Sequence, residues 1–353
     1  MLSRAYTKPS KKASPKNPVP NGDEDGSCRS ISILDYEDCI FSFMDIDVPF
    51  VFCNRICNEV NVTLREVLRA SVGVIGESRV GMTEKVVMKK GKCYGVYAVK
   101  RFKKVIVKQK EFGKRVMLLA QVSLGCKYLV PLRAYLYTKR MKLLACDYYP
   151  MGSLDDLLSG ARKLGHTSLD WNQRMTIICS ITKAILFIHS LSPSHDNKFQ
   201  MNVHGKIKSS NVMINTDFTA CLSDYGFSQL ADRLEVVDNG KHKSSLSPSS
   251  SSVHPQSFYL DTLSQTSDIY NFGVLLLDLL GGAKAMECRE NIIEERKEKI
   301  EKGEWDFFEF VVEGKERRKA LRVLDVALSC TISSHQTRPT IQEIIIKLDV
   351  FGA

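Results

Sequence analysis

Five positions in this sequence carry residue types suited to handling an anion or a cation: Gly76, Gly81, Lys100, Asn211 and Asp224. Glycine lets a backbone approach an anion closely, an ammonium neutralises it, and amide or carboxylate oxygens suit a hard cation. Singly each is a weak signal, since a lone lysine on a strand is ordinarily solvated. Cys53 and Cys57 are the nearest cysteine pair. No Cys or His stands at a matching spacing, so they do not read as a zinc site.

The elements that must position these residues change character along the chain. Residues 1–30 combine lysines with Pro9, Pro15, Pro18 and Pro20 and read as a disordered basic tail. Residues 31–61 precede the first clear pattern. Residues 94–102 alternate in the β manner, and residues 110–122 place Phe112, Val116, Leu119 and Ala120 at helical spacing. Residues 132–137 and 141–148 read as a strand pair. Residues 171–190, 268–280 and 317–330 carry Leu, Ile and Val on one helical stripe. A sheet-rich unit therefore precedes a helical one, interrupted by a serine-rich loop at 240–257.

Composition excludes several classes. With 353 residues, 44% hydrophobic and 25% charged, the chain is neither disordered throughout nor collagen-like. Its best apolar run, 269–282, is broken by Asn271 and Asp278, so no membrane span is expected. The 11 cysteines are odd in number and scattered, which suits a reducing cytoplasm better than a disulfide scaffold. Of the net charge of +10, Arg4, Lys8, Lys11, Lys12 and Lys16 contribute five units. That tail could touch the anionic inner face of a plasma membrane, although Leu2 excludes N-myristoylation. The basic run from Lys89 to Arg115 reads as a solvated face rather than a nucleic-acid site, because no nucleic-acid module accompanies it.

Taken together and in order, Gly76-Glu77-Ser78-Arg79-Val80-Gly81, Ala98-Val99-Lys100, Asn211 and Asp224-Tyr225-Gly226 resemble the ATP-site elements of protein kinases. The resemblance is closest to plant receptor-like kinases of the leucine-rich-repeat class and covers about residues 50–350. It includes the segment 62–71, the hinge region 143–158 and Arg338-Pro339-Thr340. It implies an α+β, bilobal protein-kinase-like fold over 62–350, with a small β-rich lobe (62–146) and a helical lobe (147–350). It also implies that Gly76, Gly81, Ala98, Lys100, Cys146 (gatekeeper), Asp147 and Tyr148 (hinge), Lys208, Asn211 and Asp224 surround a nucleotide, and that Asn211 and Asp224 hold Mg²⁺.

The departures from that family point to lost chemistry. Where active members carry H-R-D, with the Asp accepting the substrate proton, this chain has His204-Gly205-Lys206. An ammonium cannot act as that base, and losing a general base costs roughly 10²–10⁴ in rate. Arg115 stands where a helix glutamate pairs with the strand lysine, so Lys100 is expected to lack its partner. Ser78 replaces the second loop glycine, the A-P-E element is missing, and Gly205 replaces an arginine that reads activation-loop phosphate. Arg338 must then find another acid, such as Asp261, or stay wet. With Lys100, Arg115, Lys206 and Lys208 facing Asp224, the site should be electropositive. ATP binding, if present, would be weak or metal-independent, with Mg²⁺ doubtful.

The sequence thus predicts an inactive receptor-like kinase that binds protein partners, chiefly other receptor-like kinases, through its small-lobe helix and remodelled activation segment. It predicts no nucleic-acid partner. The rival expectation is an active Ser/Thr kinase in which a carboxylate such as Asp196 replaces the lost base.

Overall fold

A computed structural model describes residues 46–53, 62–78, 80–90, 93–165, 169–193, 199–231, 263–282, 284–285 and 290–350. The predicted basic tail, the serine-rich loop, Arg79, Cys57, Asp196 and Asp261 lie outside these residues.

Residues alternating between two faces build the small lobe. The strands β1 (Val51–Phe52), β2 (Ser71–Glu77), β3 (Gly81–Lys90), β4 (Cys93–Phe102), β5 (Leu132–Tyr137) and β6 (Lys142–Asp147) form one sheet in the order β1-β5-β6-β4-β3-β2, all pairs antiparallel. On one face, Val86, Val99, Leu143 and Ala145 bury against Leu64 and Val67 of helix α1 (Leu64–Ala70). On the other, Phe102, Leu132 and Leu144 join Phe112, Val116 and Leu119 of helix α2 (Gln109–Gly125). Helix α1 starts at a capping box, with Thr63 accepting from the Glu66 amide and the Glu66 carboxylate accepting from the Thr63 amide at 2.7 Å.

The sheet reaches further upstream than the pattern-based boundary at 62. Phe50 donates its amide to the Val62 carbonyl at 2.7 Å, Leu64 donates to Val48 at 3.1 Å, and β1 pairs with β5. Phe50 is buried among Val62 and Leu64, and Arg65 pairs with Asp47 at 2.9 Å. Part of the segment 31–61 is therefore an edge strand of the lobe, and burying a side chain of this size stabilises it by roughly 1.5–3 kcal/mol.

The large lobe is helical: α3 (Leu154–Lys163), α4 (Trp171–His189), α5 (Gln265–Gly281), α6 (Glu290–Glu295), α7 (Lys297–Lys302), α8 (Gly314–Cys330) and α9 (Ile341–Leu348). A small hairpin of β7 (Val212–Ile214) and β8 (Ala220–Leu222) lies against α4. The stripes read in the sequence face the core, with Ile177, Ile181 and Ile185 of α4, Phe272, Leu276 and Leu280 of α5, and Ala320, Leu324 and Ala327 of α8 all buried.

Candidate functional site

Strand alternation decides which side chains reach the cleft. Val99 turns into the outer core, so its neighbours Ala98 and Lys100 turn the other way. In the register of β4 and β6, Ala98 faces Cys146 and Lys100 faces Leu144. Lys100 is buried, and its ammonium donates to Asp224 Oδ2 and lies 5.7 Å from the centre of the Phe227 ring. The expectation that Lys100 lacks a partner is thus corrected. The carboxylate it meets comes from the segment after β8 instead of from α2.

Asp224 is held by its backbone. It is a non-glycine residue with φ of 62°, its carbonyl accepts from the Phe227 amide at 3.1 Å, and Gly226 (φ 70°) donates to the His204 carbonyl at 3.2 Å. A Cβ on Gly226 would meet Leu119 at 2.5 Å, so this turn needs glycine for space as well as conformation. Burial by itself would raise the Asp224 carboxyl, but the Lys100 ammonium beside it, aided by Lys206, holds it below the usual carboxylate range. Lys206 therefore lies close enough to act on Asp224 electrostatically.

The loop bearing Lys206 is fixed from beneath. Asp268, fully buried at the start of α5, accepts from the His204 amide at 2.7 Å and the Gly205 amide at 2.9 Å, with His189 Nε2 at 3.2 Å. The Lys206 amide donates to His204 Nδ1 at 3.2 Å. His204 is fully buried, which pushes its imidazole below its ordinary value, and its ring packs 6.2 Å from Tyr225. It is a structural histidine. Gly205 adopts φ of 81°, where a larger residue would be strained and would crowd Ser228 and Leu263.

Asn211, buried in the turn Ser209–Asn211, donates its side-chain amide to the Lys206 carbonyl at 2.9 Å, which leaves Oδ1 as its remaining polar atom. Lys208 is exposed and its carbonyl accepts from the Asn211 amide at 2.9 Å. Cys146 is pushed well above the usual thiol range by burial, with Asp224 and Lys100 near enough to influence it. Ala98, Lys100, Cys146, Lys206, Asn211 and Asp224 are thus brought together.

The side chains of other expected site residues have partners of their own. The Asp147 carboxylate forms a two-pronged pair with Arg133, Nε to Oδ1 at 2.7 Å. The Tyr148 ring lies under the Lys85 ammonium at 4.6 Å. Arg115 pairs with Glu111 at 2.6 Å, donates to the Gln229 carbonyl at 3.1 Å, and covers the Phe199 ring at 5.1 Å. The charge count read from sequence therefore omitted Glu111. The pair at spacing i,i+4 was the available signal. In the glycine loop, Ser78 and Gly81 exchange backbone hydrogen bonds of 2.8 and 3.2 Å. Gly81 is required because a Cβ would run into the Arg101 carbonyl, whereas Gly76 faces open space. Arg338 donates to the carbonyls of Ile332 at 2.9 Å and Thr266 at 3.1 Å and covers the Tyr270 ring at 4.7 Å. Among the described residues, those carbonyls receive its hydrogen bonds.

A two-lobed fold with a strand lysine meeting the Asp of an Asp-Tyr-Gly turn defines the protein kinase class. Consistent with this, the family model for the protein kinase domain matches residues 70–347, and the chain belongs to that family. It is similar to the Arabidopsis thaliana "Probable inactive receptor kinase At3g08680", 30% identical over 296 residues covering 81% of this chain and 43% of that one. It is also similar to the Arabidopsis thaliana "Inactive leucine-rich repeat receptor-like serine/threonine-protein kinase At1g60630", 31% identical over 84% of this chain and 43% of that one. The chain thus spans less than half the length of these relatives. Among solved structures it resembles the pseudokinase domain of BIR2, described as an immune regulator of the RLK/Pelle family, with TM-score 0.67 and 22% identity over 88% of this chain and 91% of that one. Among the described residues no helix is long and apolar enough to cross a membrane.

Proposed function

We propose that the chain is a receptor-like pseudokinase, a kinase fold that does not transfer phosphate and acts as a binding or allosteric partner of other receptor-like kinases. The carrying observation is the pairing of Lys100 with Asp224 while Lys206, at the position of the family's catalytic base, adds a second positive charge to the same carboxylate. At an effective dielectric of about 20, two unit charges 4 Å apart interact by roughly 4 kcal/mol, enough for an ammonium to take over the neutralising role of a cation. The protein donors left for Mg²⁺ are the Asn211 amide oxygen and the Asp224 carboxylate, which an incoming ion would have to share with the Lys100 ammonium. ATP, if it enters, is met by Lys100, Lys206 and Lys208 and needs no metal. The names of the inactive relatives agree with this reading.

The test is a pair of measurements on the purified full chain. ATP should raise the melting temperature equally with Mg²⁺ and with EDTA; a shift confined to Mg²⁺ contradicts metal-independent binding. Incubation with radiolabelled ATP and a general protein substrate should give no incorporation. Incorporation that is abolished by Asp224→Asn yet survives Lys206→Ala would show an active enzyme with a displaced base.

A further inference from the structure

A second concavity, sharing no lining residue with the Lys100–Asp224 cleft, lies along α4 and has a volume of about 760 Å³. Its α4 lining runs from Trp171 to Lys183, twelve positions apart (183 minus 171). At 1.5 Å per residue that is a trough about 18 Å long. An extended peptide of five or six residues spans such a length at about 3.3 Å each, so the shape suits a chain segment better than a compact metabolite.

The walls are predominantly cationic. Lys127, Lys183, Lys319, Arg322 and Lys347 line it against Asp217 and Asp349. Of the two acids, Asp217 accepts from the Thr219 hydroxyl and amide at 2.6 and 3.0 Å, which holds its carboxyl below the usual range and keeps it ionised, so five cations stand against two acids in the lining. Among the described residues no carboxylate bridges Lys127, Lys319, Arg322 or Lys347 within salt-bridge distance. These cations come from α4, α8, α9 and the turn after α2, so the fold gathers them around one hollow. A cleft whose lining carries a net positive charge concentrates its field and draws an anion. The floor is different in kind: Trp171, stacked on Phe310 at 5.6 Å, with Val323, Leu348 and Val350, is buried and apolar. An apolar floor beneath a cationic rim asks for a ligand with both an apolar anchor and clustered negative charge.

We propose that this trough docks an extended acidic segment of a partner kinase that carries phosphoserine or phosphothreonine beside an apolar residue. The proposal rests on the reading of the chain as a binding partner, but not on the state of its nucleotide cleft. Guanidinium and ammonium groups pair strongly with phosphate oxygens, and the apolar residue would lie over Trp171.

The probe is a fluorescein-labelled heptapeptide with two phosphoserines flanking a leucine, titrated into the full chain by fluorescence anisotropy. Saturable binding should weaken at least about tenfold in Lys319→Glu/Arg322→Glu, two exposed changes on α8. It should not change in Lys108→Glu/Lys110→Glu, which alters net charge equally at another basic face. The unphosphorylated peptide should bind more weakly. Absence of saturable binding, equal weakening in both variants, or stronger capture of tripolyphosphate or phosphatidylserine vesicles than of the peptide would overturn the proposal. The ATP melting shift of Lys319→Glu/Arg322→Glu should match that of the parent, so failure here is distinct from failure of the silent-kinase reading, which the phosphate-incorporation assay decides.

Discussion

At the scale of single residues, the cleft is governed by an exchange of partners. The strand lysine, without a helix glutamate, takes Asp224 as its partner. This pair is buried, with side-chain exposures of 8% for Lys100 and 13% for Asp224. Removing one partner strands a charge, so Lys100→Met should destabilise the fold by about 3 kcal/mol, the low end for a buried pair because Lys206 still faces Asp224. The double variant Lys100→Met/Asp224→Leu should lose less than Lys100→Met alone, measured by urea denaturation. The pH dependence follows from the direction of the shift. Asp224 titrates below its ordinary 3.8 in the folded state, so its stabilisation is complete above that value and fades as pH falls through the lowered one. In Lys100→Met the balance moves toward burial, which favours the protonated acid and relieves the variant on acidification. The melting-temperature gap between parent and Lys100→Met should therefore narrow from pH 6 to pH 3. A gap that widens would show that the ion pair is not what sets this carboxyl. Lys100, Asp224 and Lys206 were legible as neighbours through family motifs. The pairing of Lys100 with Asp224 was not, because a linear pattern shows that the helix glutamate is absent but not which other carboxylate the lysine reaches.

At the scale of elements, helix starts carry much of the positioning. Thr63, Ser153, Asp170, Ser264 and Thr340 each open a helix with a reciprocal cap, which fixes where the chain enters and which face it buries. The start of α5 does more, since Asp268 at its first turn ties down both amides of the His204–Gly205 turn. Hydrogen bonds to a charged acceptor contribute roughly 1.5–3 kcal/mol each, so Asp268→Asn should cost about 3 kcal/mol and raise hydrogen exchange at residues 203–206 before other segments. Loss of stability without that local exchange would place the effect elsewhere. Helix α2 shows where reading by period stops. Phe112, Val116, Leu119 and Ala120 follow the apolar stripe, and Arg115, three residues after Phe112 and four before Leu119, is a charged residue on that same buried stripe, placed by a partner 114 residues away, the Gln229 carbonyl (229 minus 115). Arg115→Leu should leave that carbonyl unpaired, costing about 1–3 kcal/mol, and should loosen exchange at Phe227–Gln229 while α5 stays protected.

At the scale of the whole molecule, the order of strands and helices is legible because each long element repeats its apolar period, whereas β1, two residues long, has no period to read. What joins the lobes is equally hidden, being short and non-local. Beyond the hinge, Leu222 of β8 accepts from Val130 at 2.9 Å and donates to Tyr128 at 2.9 Å, Ile106 donates to Leu230 at 3.3 Å, and Val105 bridges Ala231. Lys100 to Asp224, Arg115 to Gln229 and the edge-on rings of Phe102 and Phe227, 6.1 Å apart, complete the seam. A small lobe fastened at this many points should not melt by itself, so calorimetry of the parent chain should show one transition whose calorimetric and van't Hoff enthalpies agree. Lys100→Met/Arg115→Leu cuts two of the fastenings without touching the large-lobe core, and its small lobe should unfold first, giving two resolved transitions or a van't Hoff enthalpy well below the calorimetric one. A single shifted transition in the double variant would mean that the hinge and the β8 bonds couple the lobes unaided, and that the charged cleft stabilises the molecule without setting its cooperativity.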